Sequence, residues 1–282
     1  MPETEEVFHK KDELAAVHEA NLKILKEIDR ICRKYGISYL IDSGTLLGAV
    51  RHQGFIPWDD DADVAMMRQD YEKFRKACVT ELNMEKFYFQ DQKNTKGYRW
   101  GYGKLRRKDT LFLREYQEHM PYGQGVFIDI FPLDYVPENY VLRCIHNLIC
   151  FLYRKLFWSE VGKVEDRNFI KRVIYHAMSK IPEMRLKKSF EHFVKKTNQT
   201  STNWVRILTF PTPNRAYGYR TEWYLNSVDI QFEGFAFRGI RDYDAYLSFK
   251  FGNYMEFPPE EMRKTHPVSD IVLSHADEIS VF

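Results

Sequence analysis

The segment Trp58-Asp59-Asp60-Asp61-Ala62-Asp63-Val64 limits what this chain can fold into more than any other feature. Four carboxylates in five positions repel one another at neutral pH, and a bound cation removes that repulsion. The acids run directly into Asp63-Val-Ala-Met-Met67, which reads as an apolar strand. Alternate residues of an extended strand share a face, so Asp59, Asp61 and Asp63 point one way and Asp60 the other. Asp61 and Asp63 can therefore meet one hard cation together, and a ligand set of oxygens alone suits Mg²⁺ or Mn²⁺ better than zinc. A solvated acidic turn would carry the same charge, but Pro57, Trp58 and the apolar residues around the cluster argue against one.

The flanking sequence predicts a framework for these acids. Residues 13–35 carry Leu14, Val17, Ile24, Ile28 and Ile31 on one face, the spacing of an amphipathic helix, and Gly36 is placed to cap it. Residues 37–41 read as a short strand. Gly44-Thr-Leu-Leu-Gly-Ala-Val-Arg51 reads as a turn opening a helix, whose first backbone N–H groups can face phosphate oxygens. A helix is predicted from Asp70 to about Leu82 and strands over 97–114. Val126-Phe-Ile-Asp-Ile-Phe131 is a further apolar strand, which Pro132 is expected to end. Its single acid, Asp129, is expensive to bury unless paired or ligating.

Residues 139–199 change character, with 13 Lys or Arg against 5 acids in a long helical pattern. Beyond them, 228–237 reads as a hairpin around Gly234 and 251–259 as a packed aromatic tail. The expected organisation is a core over 1–138, a basic helical lobe over 139–199, and a C-terminal part over 200–282 packing on the core.

Composition removes several classes. The 282 residues are 44% hydrophobic and 29% charged, which excludes disorder and coiled coil as the main architecture. A net charge of +2 does not suit a nucleic-acid coat, so no nucleic-acid partner is expected. Cys32, Cys78, Cys144 and Cys150 form no CxxC pair and no zinc spacing, and read as reduced thiols. The charged first residues lack the apolar stretch of a secretory signal, and no apolar run is long enough to span a bilayer. A cytoplasmic location, with peripheral contact at the inner membrane face as an option, is the expectation.

The order of an apolar strand, Gly44-Thr45, an Asp-x-Asp strand and a lone acid on a later strand resembles the nucleotidyltransferase superfamily. The whole stretch from Gly44 to Tyr71 resembles the hallmark segment of the LicD family, which contains bacterial phosphorylcholine transferases and is related to fukutin-type transferases. Lys104-Leu-Arg-Arg-Lys-Asp-Thr110, Gly125-Val-Phe-Ile-Asp-Ile-Phe-Pro-Leu-Asp134 and Phe251-Gly-Asn-Tyr-Met-Glu-Phe-Pro-Pro259 extend the resemblance over roughly 13–265. Thr45 stands where the wider superfamily favours Ser, which keeps the hydroxyl. Ala62 stands where Ile is common, which alters packing only.

The resemblance implies an α+β fold with a mixed sheet and flanking helices. It implies an enzyme moving phosphocholine, or a related phospho-alcohol, from a CDP-choline-like donor to a sugar hydroxyl of a cell-surface glycan precursor (teichoic acid, lipopolysaccharide or capsule, free or lipid-linked). Asp61, Asp63 and Asp129 would hold Mg²⁺ or Mn²⁺ and serve catalysis, with Asp59 as a further ligand or an acid behind them. Gly44, Thr45, Lys104 and Arg51 would hold phosphate, and Trp58 would contribute to substrate binding.

Two readings stay open for the basic lobe. Its mixed apolar and cationic pattern over 141–196 suits an anionic membrane surface, and equally an ordinary solvated amphipathic helix. Trp58, Tyr98, Trp100, Tyr102 and Tyr122 are aromatic candidates for a quaternary ammonium, or plain core. The rival functions are a nucleotidylyltransferase on the same fold, and a non-catalytic protein whose acids hold a structural cation.

Overall fold

The computed structural model describes residues 2–213 and 218–273, with side chains from residue 12 onward. Residues 274–282 of the expected C-terminal part lie outside the described residues. Helix α1 (Pro2–Tyr35) buries Val17, Ile24, Ile28 and Ile31, the face its spacing predicts, and ends at Gly36 with φ +61°, a conformation glycine adopts without steric cost.

The strands are β1 (Leu40–Ile41), β2 (Asp63–Met67), β3 (Phe87–Gln90), β4 (Gly103–Arg107), β5 (Leu111–Arg114), β6 (Phe127–Tyr135), β7 (Trp204–Arg206) and β8 (Tyr219–Arg220). All but β5 form one mixed sheet, ordered β1-β2-β6-β4-β3, with β7 beside β6 and β8 beside β7. Strands β2 and β6 run parallel and the other pairs antiparallel. Helices α2 (Ser43–His52) and α3 (Arg68–Glu81) flank β2 in sequence, and both pack against it. This is the α+β architecture with a mixed sheet that the sequence predicts.

Three local expectations are corrected. Pro132 does not end β6, which continues to Tyr135. The amide of Asp129 donates to Ala62, on the β2 side, so the amide position of residue 132 faces the opposite side. There β4 pairs only as far as Ile130 and β7 begins at Asp134, so the missing donor of Pro132 falls in the gap between them. Within 97–114, only 103–107 and 111–114 are strand, and β5 pairs instead with β11 (Val268–Val272). The 251–259 tail packs only in part: Tyr254 rests against the core, whereas Phe251, Met255 and Phe257 are exposed.

Residues 140–197 form three helices, α4 (Tyr140–Glu165), α5 (Phe169–Ser179) and α6 (Glu183–Thr197). The chain closes with α7 (Thr221–Leu225), the hairpin β9 (Ser227–Phe232) and β10 (Phe235–Ile240), α8 (Tyr243–Phe251) and β11. The hairpin turns at Glu233-Gly234, as expected. Among the described residues no helix is long and apolar enough to cross a membrane.

His146 of α4 is structural. It is buried, and its Nε2 lies 2.8 Å from the Thr197 hydroxyl of α6. Burial, and then the nearby Arg206, push it down to about 4 from 6.5. A base with a depressed value stabilises the fold fully above its unfolded value and loses that contribution as pH falls from 6.5 towards 4. Stability should fall by up to about 3 kcal/mol across that window, and His146→Gln should flatten the profile in denaturant titrations near pH 7 and near pH 4.5. Parallel losses in both proteins would remove His146 as the cause.

Candidate active site

The register of three strands assembles the site. Asp63 of β2 stands opposite Asp129 of β6, and Asp129 stands opposite Lys104 of β4. Paired residues on adjacent strands share a face at about 4.8 Å spacing, so an acid, an acid and a lysine form one row across the sheet. Asp61, two residues before Asp63 and just outside β2, opens on the same cavity. All four line a cavity of about 660 Å³ that also receives Ser43, Gly44 and Asp59.

The local fold holds the acidic loop from several sides. His18 of α1 stacks on Phe55 at 4.2 Å and its Nε2 lies 2.6 Å from the Asp59 carbonyl, while Asn21 donates to the Asp60 carbonyl at 3.2 Å. The Asp63 backbone is pinned twice, its amide donating to the Thr45 hydroxyl at 2.8 Å and its carbonyl accepting from the Asp42 amide at 3.0 Å. Thr45 is therefore buried and turned to Asp63 rather than into the cavity. Asp42, fully buried, accepts from the Tyr246 hydroxyl at 2.5 Å and anchors the turn before α2 to α8. Gly44 leaves room for the Asp59 carboxylate, since a Cβ there would sit 2.8 Å from its Oδ2 and displace it.

Electrostatics match the crowding. Burial, and then Asp61 and Asp129, push Asp63 well above the usual carboxylate range. Asp59 rises to about 7 through burial and then Asp61. Burial also raises Asp61, against the pull of His266 and Arg114. Lys104 donates to Asp129, and its burial pushes it down to about 7 against that attraction. Carboxylates on one wall that cannot all stay charged cheaply suit a hard divalent cation such as Mg²⁺ or Mn²⁺ by their chemistry, while among the described residues the ligand atoms that lie within 4.8 Å of one another are those of Asp60, Asp61 and His266.

Some expected residues lie elsewhere. The guanidinium of Arg51 donates to the backbone carbonyls of Tyr254, at 2.8 Å, and Glu256, at 3.2 Å. Trp58 sits edge-on to His52 and Phe257. Neither lines the cavity, because the tail engages both, Arg51 through its backbone carbonyls and Trp58 through Phe257. Of the aromatic candidates, Trp100 and Tyr102 line the cavity. Tyr98 and Tyr122 stand behind them, with Trp100 Nε1 donating to Tyr122 at 3.1 Å.

Arg114, Lys250 and His266 also line the cavity and were not anticipated. Asp60 leaves the common face as predicted but is buried, accepting from the His266 amide at 2.9 Å and lying 2.6 Å from its ring Nδ1. That places the His266 ring 3.6 Å from Asp61. Arg114 reaches Asp61 at 3.3 Å, and its buried Nε has no hydrogen-bond partner. Lys250 of α8 donates to Ser43. Only Lys250 had a signal, being adjacent to the Phe251-Gly-Asn motif; Arg114 and His266 come from distant, unremarkable sequence.

Comparison with known proteins adds the following. The family model described as LicD/FKTN/FKRP, nucleotidyltransferase domain, matches residues 36–155. Lipopolysaccharide cholinephosphotransferase LicD of Haemophilus influenzae is 30% identical over 258 residues, 88% of this chain and 94% of that protein. An uncharacterized protein of Rickettsia typhi is 48% identical over 54 residues, 19% of this chain and 18% of its own length. One of Rickettsia prowazekii is 52% identical over 48 residues, 17% and 18% respectively.

Proposed function

Because the chain belongs to the LicD family and is a phosphotransferase of that type, we propose that it moves phosphocholine from a cytidine-diphosphate donor to a sugar hydroxyl of a lipopolysaccharide-type glycan. The observation that carries this reading is the row of Asp63, Asp129 and Lys104 across three strands, facing a cavity with cations on its other walls.

Asp61, Asp63 and Asp129 are the residues that would hold a divalent cation, with Asp59 beside them. Such a cation supplies neutralisation of the donor's pyrophosphate charge. The start of α2 at Ser43 and Gly44 presents backbone N–H groups to phosphate oxygens. Arg114 adds an unpartnered guanidinium N–H, and Lys250 a further charge. Lys104 orients the Asp129 carboxylate, which in turn orients the attacking hydroxyl and takes up its proton. The new bond joins the sugar oxygen to the choline-bearing phosphorus, and the bond from that phosphorus to cytidine monophosphate breaks.

The far wall suits the head group. Trp100 and Trp158 lie 5.8 Å apart, and Tyr102 packs 5.4 Å from Phe210, all four on the cavity. Aromatic faces attract a trimethylammonium that a phosphate site would repel. Trp158→Ala should raise KM for CDP-choline by about tenfold, the value of about 1–2 kcal/mol of cation–π attraction, with a smaller change for CDP-ethanolamine. Equal changes for both donors would place choline recognition elsewhere.

Phosphorus NMR tests the reading as a whole. Purified protein with Mg²⁺, CDP-choline and a glycan acceptor should release cytidine monophosphate and form a phosphodiester on the glycan. Consumption of a nucleoside triphosphate with the nucleotide left on the acceptor would establish the nucleotidylyltransferase alternative instead.

A further inference from the structure

We propose that α4 and α5 form a docking face for an anionic lipid bilayer. Helix α5 is turned inside out for a soluble protein. Its one buried residue, Tyr175, packs on Gly162 of α4 and accepts from Lys155 at 3.1 Å. Its apolar residues Phe169, Ile170, Val173 and Ile174 face outward, Phe169 being 74% and Ile170 68% exposed. Val141, Ile145, Leu148 and Leu152 form a second exposed apolar stripe, on the first half of α4, at spacings of four, three and four.

The two faces look to the same side. At about 100° per residue, Lys155 and Gly162, on which α5 lies, fall within about 60° of the 141–152 stripe. Helix α5 covers the second half of α4 on that side and leaves the first half bare. Apolar exposure on this scale marks an interaction surface.

Charge selects the occupant. Residues 140–158 and 169–179 contain no Asp or Glu and carry Arg143, Arg154, Lys155, Lys171 and Arg172, of which Arg143 and Lys171 meet acids just outside these ranges, Glu138 at 3.7 Å and Asp166 at 4.0 Å. Lys171 and Arg172 are exposed beside the outward face of α5. An apolar face flanked by cations, without acids, is the composition of a helix lying in an anionic interface. A second copy meeting the same face across a two-fold axis would bring these cations against their own kind. The docking face also stands close to the chemistry: Leu152 and Trp158 are about 9 Å apart along α4, at 1.5 Å per residue, and Trp158 lines the cavity.

The full chain should float with vesicles containing about one-third phosphatidylglycerol, and bind about tenfold less well to phosphatidylcholine alone or at high salt. The double variant Ile170→Glu/Ile174→Glu should lose about tenfold or more of that binding while keeping its circular dichroism spectrum and its release of cytidine monophosphate with a soluble acceptor. Vesicle binding needs neither donor nor acceptor, so it stands or falls separately from the phosphocholine reading. Failure of the wild-type chain to float with anionic vesicles would overturn the proposal, as would undiminished floating by the double variant. A dimer abolished by the double substitution, without any vesicle binding, would assign the face to a second copy.

Discussion

Asp63→Asn should lower turnover by about a thousandfold or more while the protein without added metal becomes no less stable. Both halves of this expectation come from one geometry. Asp63 stands in register with Asp129 on the neighbouring strand and two residues from Asp61, and the three carboxylates open on one cavity. As a proposed ligand, Asp63 supplies charge that an amide lacks. Without a cation, burial and the neighbouring acids make an ionised Asp63 costly, and an amide avoids that cost. The Asp63 backbone is held through its own amide and carbonyl, by Thr45 and Asp42, so the substitution leaves those bonds in place. Thermal melts with and without Mg²⁺, read beside turnover, check both halves. A variant that melts earlier without metal and keeps its response to Mg²⁺ would remove Asp63 from the proposed ligand set.

The second large effect concerns stability. Asp134 of β6 is fully buried and accepts from both Nε and Nη2 of Arg68, at 2.7 and 2.6 Å, and from Asn198 at 2.6 Å. These bonds tie β6 to the start of α3 and the end of α6. Asp134→Ala strands a largely buried guanidinium and an amide, and should cost about 3–5 kcal/mol, lowering Tm by on the order of 10 °C. Replacing both charges with apolar side chains, as in Arg68→Met/Asp134→Leu, should recover much of that loss, because desolvating a pair consumes most of its attraction. Calorimetry of the two variants decides the matter; equal melting of the single and double variants would show that the ion pair itself, rather than the stranded charge, sets the cost.

The framework was legible wherever periodicity was strong. Helix α1, the start of α2, strand β2 and the hairpin at Glu233-Gly234 all follow from local pattern. The acidic row was legible in part. Alternation alone predicts that Asp61 and Asp63 point one way, whereas the pairing of Asp129 with both Asp63 and Lys104 depends on register between strands far apart in sequence. Pro132 misled because a proline breaks a strand only where its missing donor faces a partner, and whether one stands there is a tertiary fact. His266 and Arg114 were invisible for a related reason. They arrive on β5 and the segment before β11, a pair of strands outside the main sheet, and no motif marks either. Arg51 and Trp58 carried a strong local pattern, yet the tail engages both, and neither lines the cavity.

The pairing of Tyr135 with Val205 has one more consequence. The helical segment leaves the sheet after β6 and returns at β7, so its two ends stand on adjacent strands, about 5 Å apart. A stretch that departs and re-enters through so narrow a doorway behaves as a cassette. Its part that touches neither the cavity nor the sheet, α5, can be lengthened, shortened or exchanged while the strands on either side keep their register; Trp158 on the cavity and Asn198 on Asp134 fix the rest. Chains built on this plan can therefore change what they reach for without redesigning what they do once they have reached it.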